Sequence, residues 1–284
     1  MSTFWATWHE IPYHINPIFY QIGGLKIHYY GIMYLVAVLI VYGLSLYRIK
    51  TERNLPLKTA EQLADGLLYA LVGMLVGCRL GYVLFYNLSH YMNHPLEIFL
   101  PIQTINGQIQ FVGYAGMSYH GGVIGILLSS WLYVRKWKLS LLRVADMLIP
   151  AVPLAYMFGR IGNFINGELF GRITTANIGM YFPLSPQHVL RHPSQLYEAL
   201  GEGLLLFLIL WPLRKKKFAT GTLFALYLFG YGLIRFSIEF VREPDGVWEF
   251  LWFQLSTGQL LCMAMMLVSA GLWFWIKPRR SRQK

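Results

Sequence analysis

The sequence predicts an all-α polytopic membrane protein with seven transmembrane helices and a small extracytoplasmic head, the N-terminus outside and the C-terminus cytoplasmic. Composition is the first reason. Hydrophobic residues make up 56% of the 284 and charged residues only 13%, against about 25% charged in a soluble domain. The placement of the basic residues is the second. Arg48, Lys50, Arg53 and Lys58 follow the first apolar stretch, Arg135, Lys136, Lys138 and Arg143 the third, and Arg214 with Lys215, Lys216 and Lys217 the fifth. Lys277, Arg279, Arg280, Arg282 and Lys284 close the chain. These 17 of the 24 Lys and Arg fall after alternate spans, as the positive-inside rule requires. Topology thus explains the net charge of +11, and a nucleic-acid partner is set aside.

The first twelve residues carry Trp5, Trp8, His9 and Glu10 but no basic n-region and no small-residue cleavage site. No removable signal peptide is therefore expected, and the first span directs insertion. That span covers about 27–47 and the second about 64–87, with a basic loop between them. An outer loop follows at about 88–117. It lacks Lys and Arg, and its Pro95, Pro101 and Asn106-Gly107, with Ile105, Ile109 and Phe111 in alternation, suggest a short hairpin. The third span is about 119–134 and the fourth about 141–158. A polar stretch at about 160–193, with Pro183, Pro186 and Pro193, reads as the head. Spans five, six and seven fall at about 196–213, 220–239 and 255–276, with Trp248, Trp252, Trp273 and Trp275 near the ends of the last as interfacial anchors. Residues 1–284 read as one membrane domain without internal repeats. Cys78 and Cys262 each lie within a span, so both are expected to be buried thiols rather than a disulfide or a zinc site.

Seven basic residues lie outside the cytoplasmic clusters: Lys26, Arg79, Arg160, Arg172, Arg191, Arg235 and Arg242. A guanidinium near the outer face suits a lipid phosphate, because its planar fork binds the oxygens bidentately and stays charged where water is scarce. A buried ion pair with Glu168, Glu198, Glu202 or Glu239 accounts equally well for any one of these arginines, and less well for all of them together. His120, in Ser118-Tyr119-His120-Gly121-Gly122, is a proton-acceptor candidate at the start of the third span. Taken alone, it is more simply an interfacial histidine bonded to a carbonyl. His9, His90 and His94 are expected in loops. Tyr231, Arg235 and Glu239 recur at intervals of four, forming either a functional lining or an intrahelical Arg235–Glu239 pair. Ser194 is expected to cap the fifth span, and Asp146 to face a polar group of another helix.

The run from Gly159 through Arg160, Asn163, Asn166, Gly167 and Glu168 to Gly171 resembles the signature of the bacterial prolipoprotein diacylglyceryl transferase family. Further blocks of the resemblance are Tyr119-His120-Gly121-Gly122, the stretch from His192 to Glu198, and Tyr231 to Glu239 followed by Phe240 to Asp245. Tyr29-Tyr30-Gly31, Arg79-Leu80-Gly81-Tyr82 and Gly258-Gln259 extend it over nearly the whole chain. Cys78, where a small residue such as alanine is expected, is a mild departure.

The resemblance implies transfer of the diacylglyceryl group of phosphatidylglycerol to the lipobox cysteine thiol of a prolipoprotein signal peptide, with release of glycerol phosphate. It implies a place in the bacterial cytoplasmic (inner) membrane, a site facing the extracytoplasmic side, and no cofactor or metal. By the same resemblance Arg160 and Arg235 hold the lipid phosphate, and His120 and Tyr231 lie at the reacting centre, either of them the base. Asn163, Glu168 and Gly171 shape the lipid site together with Tyr30 and Gln259, and Asn166, Glu239, Arg79 and Glu198 support it. An anionic-lipid transporter or flippase is the rival reading. It too would place arginines inside a bundle, but internal symmetry between halves is lacking.

Overall fold

In the computed structural model, five helical stretches among the described residues are long and apolar enough to cross a membrane. They are Tyr29–Thr51, Ala60–Tyr86, Leu141–Ile165, Ser194–Leu213 and Thr257–Ile276. The described residues are 3–23, 25–100, 102–105, 108–111, 116–244, 246–249 and 254–281. Pro101, Asn106, Gly107, Asp245, Trp252, Arg282 and Lys284, named above, lie outside them. The chain forms two compact units, one of residues 1–50 with 145–284 and the other of residues 51–144.

The first unit opens with a helix that the hydropathy pattern does not announce, α1 (Thr3–His14). Phe4, Trp5 and Trp8 pack against one another along it. Trp8 and Ile11 cover a small core of Phe164, Met180 and Phe182. The Trp8 indole donates to the Ile178 carbonyl at 3.0 Å, and the His9 ring meets the Asn177 carbonyl at 3.0 Å. His9 is therefore a buried helix residue, contrary to its expected place in a loop. A hairpin of β1 (Ile18–Ile22) and β2 (Leu25–His28), which pairs Gln21 with Lys26, leads into α2 (Tyr29–Thr51). Near the end of α2, Arg48 is buried and donates to the carbonyls of Asp146 and Met147.

The second unit is built on α3 (Ala60–Tyr86) and α5 (Tyr119–Lys136). Between them lie α4 (Leu88–Asn93), a 3₁₀ turn at Pro95–Ile98, and an antiparallel hairpin of β3 (Ile102–Ile105) and β4 (Gln108–Phe111). The hairpin expected in the outer loop is thus present. Thr59 caps α3 by accepting from the Gln62 amide, and Ser118 caps α5 by accepting from Gly121. The two long helices meet backbone to backbone. A Cβ on Gly77 would lie 2.8 Å from the Gly125 Cα, and one on Gly121 would lie 2.9 Å from the Gly81 Cα. Small residues at this spacing let helices approach closely enough for dispersion to hold them, which matters where lipid removes the hydrophobic drive. Cys78 beside this seam is only half-buried, unlike Cys262, which is buried as expected. Arg79 ties down the segment between α3 and α5: its Nε donates to Ile98 O at 2.9 Å, it also donates to Glu97 O, and its guanidinium lies 5.0 Å from the Tyr91 ring. His90 belongs to α4, not to a loop, and its Nε2 lies 2.8 Å from Glu97.

The rest of the first unit starts within α6 (Leu141–Leu148), at Ala145, and continues through a 3₁₀ turn at Ile149–Ala151 into α7 (Val152–Ile165). This helical stretch runs seven residues past the expected end at 158. Polar side chains do not break a helix whose backbone bonds remain intact, so Arg160 and Asn163 are helical and the head starts later. α7 stops at Asn166-Gly167, where Gly167 takes φ 70°, its amide donates to Phe164 O at 3.0 Å, and the Glu168 amide donates to Asn163 O at 3.1 Å. That is a glycine-terminated C-cap.

After the head comes α8 (Ser194–Glu198), which widens into a π-helical turn at Ala199–Leu205 and continues as α9 (Leu206–Leu213). Ser194 is not the expected cap. Pro193 takes that position, while the Ser194 hydroxyl donates to Leu169 O at 3.0 Å and so fastens the head. α10 (Thr222–Ile238), a hairpin of β5 (Val247–Glu249) and β6 (Gln254–Ser256), and α11 (Thr257–Ser281) complete the chain. Asp146 caps α10 from a neighbouring helix, accepting from Gly221 N at 2.6 Å and Phe224 N at 2.9 Å.

Candidate active site

α7, the α8–π segment and α10 converge on one buried carboxylate. Glu198 has no exposed surface, yet it meets three guanidinium groups. Arg160 Nε lies 3.0 Å from its Oε2, Arg242 Nε lies 3.3 Å from its Oε1, and Arg235 Nη1 donates to the same Oε1. Glu239 is 1% exposed and lies 3.1 Å from Arg235 Nη2, one turn along α10. Its other oxygen accepts from the Ser256 hydroxyl at 2.9 Å. Glu202, also without exposed surface, lies 3.8 Å from Arg235 Nη1. Burying each of these charges costs several kcal/mol, so the set persists only because opposite charges are interleaved. The arginine side chains retain a little accessible surface, 17% at Arg160 and 11% at Arg235.

The sequence explains the convergence locally. Glu198 and Glu202 are four residues apart, and in a π turn, with more than four residues per turn, such a pair shares a face. π-helical turns recur at functional sites. Arg160 is gripped along its own helix as well: its Nε donates to the Tyr156 hydroxyl at 2.7 Å, and its Nη1 reaches Asn163 Oδ1 at 3.4 Å. Asn163 in turn donates to Glu168 at 2.8 Å, which the Asn166 amide also approaches at 3.5 Å. Tyr156 and Tyr231 meet edge to face at 5.7 Å. Tyr30, from α2, lies beside Asn163 and Glu168, with its hydroxyl 2.9 Å from that of Tyr34.

The head connects to this centre through its backbone. Gly171 N donates to His192 O at 2.8 Å and Arg172 N to Val241 O at 2.9 Å, so the segment at 171–172 is tied both to the stretch before α8 and to the stretch after α10. A Cβ at Gly171 would lie 2.8 Å from His192 Cβ, so only glycine fits this approach, which holds the chain carrying Arg242 next to Glu198. Gly258 has a comparable role, since a Cβ there would press on the Glu239 carboxylate. Gln259 accepts from Ser256 N at 2.9 Å, and with Arg172 and Glu243 it lines a cavity of about 310 Å³. Burial pushes the His192 imidazole below the usual histidine range.

Arg160, Arg235, Asn163, Glu168, Tyr231, Glu239 and Glu198, with Tyr30 and Asn166, are thus gathered in one unit. His120 stands in the other, exposed in the first turn of α5. Ion pairing, expected to explain single arginines but not all of them together, explains four: Arg160, Arg235 and Arg242 at Glu198, and Arg191 at Glu243, 3.0 Å away. The Arg235–Glu239 intrahelical pair likewise exists. Arg172 and Arg79 bond to backbone carbonyls. Tyr156, Glu202 and Ser256 escaped the sequence reading as site residues. The available signal was spacing, Tyr156 four before Arg160 and Glu202 four after Glu198. Among the described residues, no group of His, Cys, Asp and Glu is arranged to hold a metal ion.

Membrane-length helices and a buried ionic centre define a multi-pass integral membrane protein. Comparison with known proteins is more specific. Residues 17–275 match the family model described as prolipoprotein diacylglyceryl transferase. A protein of Chlorobaculum tepidum named phosphatidylglycerol--prolipoprotein diacylglyceryl transferase is 48% identical over 98% of this chain and 96% of its own length. Proteins of the same name from Bordetella bronchiseptica and Campylobacter curvus are 43% and 42% identical, over 94% and 96% of this chain and 98% of their own lengths. The chain belongs to the prolipoprotein diacylglyceryl transferase family.

Proposed function

We propose that this protein transfers the diacylglyceryl group of phosphatidylglycerol to the lipobox cysteine thiol of a prolipoprotein, the first step of lipoprotein maturation. The observation that supports it most is the pairing of Arg160 and Arg235 on one buried carboxylate, which pre-orients two guanidinium groups in a water-poor interior. In the reaction the thiol loses its proton and the sulfur bonds to the glyceryl carbon. The carbon–oxygen bond to phosphate breaks, and glycerol phosphate departs with the electron pair. Negative charge grows on the phosphate oxygens as that bond breaks. Fixed guanidinium groups stabilise such charge strongly because they need no reorganisation. Arg160 and Arg235 would hold the phosphate, with Asn163 and Glu168 fixing Arg160 from behind and Tyr30 beside them. Gly171 and Gln259 would shape the site through the close approaches described above. A thiol of pKa about 8.5 needs a base to attack near neutrality, and His120 and Tyr231 are the two candidates.

The proposed topology counts seven crossings in one membrane domain: α2, α3, α5, α6–α7, α8–α9, α10 and α11. The N-terminus, the loop at about 88–117 and the head lie on the extracytoplasmic face of the bacterial cytoplasmic membrane, with the site opening toward that face. The basic clusters after alternate spans support this orientation. Incubation of purified protein with phosphatidylglycerol and a lipobox peptide tests the activity. The expected outcome is a peptide heavier by one diacylglyceryl group, with glycerol phosphate released. Lipid movement between leaflets with an unmodified peptide would favour a transporter instead.

A further inference from the structure

We infer that Glu202 holds a proton while an anionic lipid occupies the site, as a positioning residue that keeps the buried charge balanced around Arg235. The inference rests on reading the site as one for a phosphodiester lipid. Among the described residues, ion pairs link three guanidinium groups, Arg160, Arg235 and Arg242, with three carboxylates, Glu198, Glu202 and Glu239. With all six ionised the set is neutral. A phosphodiester adds one negative charge, and in a water-poor interior an unbalanced charge is costly. One carboxylate must become neutral for the lipid to bind well.

The geometry selects which. Glu198 is held by three guanidinium groups. Glu239 has Arg235 at 3.1 Å and the Ser256 hydroxyl at 2.9 Å. Glu202 is equally buried, but its contact with Arg235 is long at 3.8 Å, and the hydrogen-bonding group beside it is the neutral Tyr156 hydroxyl rather than a second guanidinium. The titratable and charged groups around it are Tyr156 and Arg160 from α7, Tyr231 and Arg235 from α10, Cys262 from α11, and Glu198 on its own element. An ionised Glu202 would repel Glu198 and compete with a lipid phosphate for Arg235. A neutral one leaves that guanidinium to the phosphate.

Proton uptake on lipid binding tests this directly. Full-length protein in detergent is titrated with phosphatidylglycerol by calorimetry in two buffers of different ionisation enthalpy, and the KM for the lipid is followed from about pH 7 to 9. Wild-type protein should take up close to one proton per lipid at the alkaline end of this range, where its KM should climb by about tenfold per pH unit. In Glu202→Gln the uptake should vanish and the KM should stay level with pH. A merely structural role for Glu202 would shift neither slope. Wild-type uptake near zero would overturn the inference without any variant, as would equal uptake in Glu202→Gln. Proton-linked binding without peptide modification would count against the transferase reading alone and still support the assignment of Glu202.

Discussion

Two helix associations in this protein solve the problem of cohesion in lipid by opposite means. α3 and α5 press glycine backbones together. α7, the α8–π segment and α10 meet through Glu198 and its three arginines. The first arrangement shows that apolar helices of this chain can associate with no buried charge at their seam. Charges are therefore not needed to hold a pair of spans, and the second arrangement carries their desolvation cost for another reason. Catalysis on an anionic lipid is that reason in the function proposed above.

The contrast can be broken most severely at the charged centre. Arg235→Ala and Arg160→Ala should each lower transfer by about a thousandfold or more, with a normal circular dichroism spectrum, because Glu198 keeps two of its three guanidinium partners. Arg235→Lys sharpens this result: the charge stays but the fork is lost, and a drop of roughly a hundredfold is expected. Near-wild-type rates in the lysine variant would mean that field, not geometry, is what the site supplies. At the glycine seam the effect should appear in stability. Gly125→Leu should cost about 3 kcal/mol by overpacking, read as a lower thermal transition in detergent, because a Cβ there already falls 3.0 Å from the Gly77 Cα. An unchanged transition would refute the backbone contact. The smallest effect is expected at Asp146→Asn, which keeps one acceptor oxygen for the start of α10. Thermal unfolding should show a loss of about 1 kcal/mol, with transfer per folded molecule unaltered.

Five of the expected spans were legible as membrane-length apolar helices, because apolar length is a property of the sequence alone. α1 was not, since twelve residues fall short of a span and Pro12 reads as a terminator. Its amphipathic role shows only once Met180 and Phe182 arrive from far along the chain. The buried ionic cluster was legible as a set of residue types. That Glu198 is shared by three arginines was not, because Arg160 and Arg242 reach it from 38 and 44 residues away in sequence. Ser194 illustrates a different loss. Its type suits a cap, but the Leu169 carbonyl takes its hydroxyl.

α10 also serves as a depth gauge. Asp146 pins the helix at Gly221 and Phe224, and Arg235 stands thirteen residues beyond Thr222, roughly 20 Å along the axis. With Thr222 at the cytoplasmic edge of the core, as the proposed orientation would have it, the Arg235 backbone would stand about two-thirds of the way across a hydrocarbon thickness of about 30 Å. A phosphate lodged there lies below the plane of its neighbours in the outer leaflet. In the function proposed above the lipid would have to sink several ångströms to react, drawing its glyceryl carbon to a depth that a thiol at the end of a membrane-inserted signal peptide would also reach.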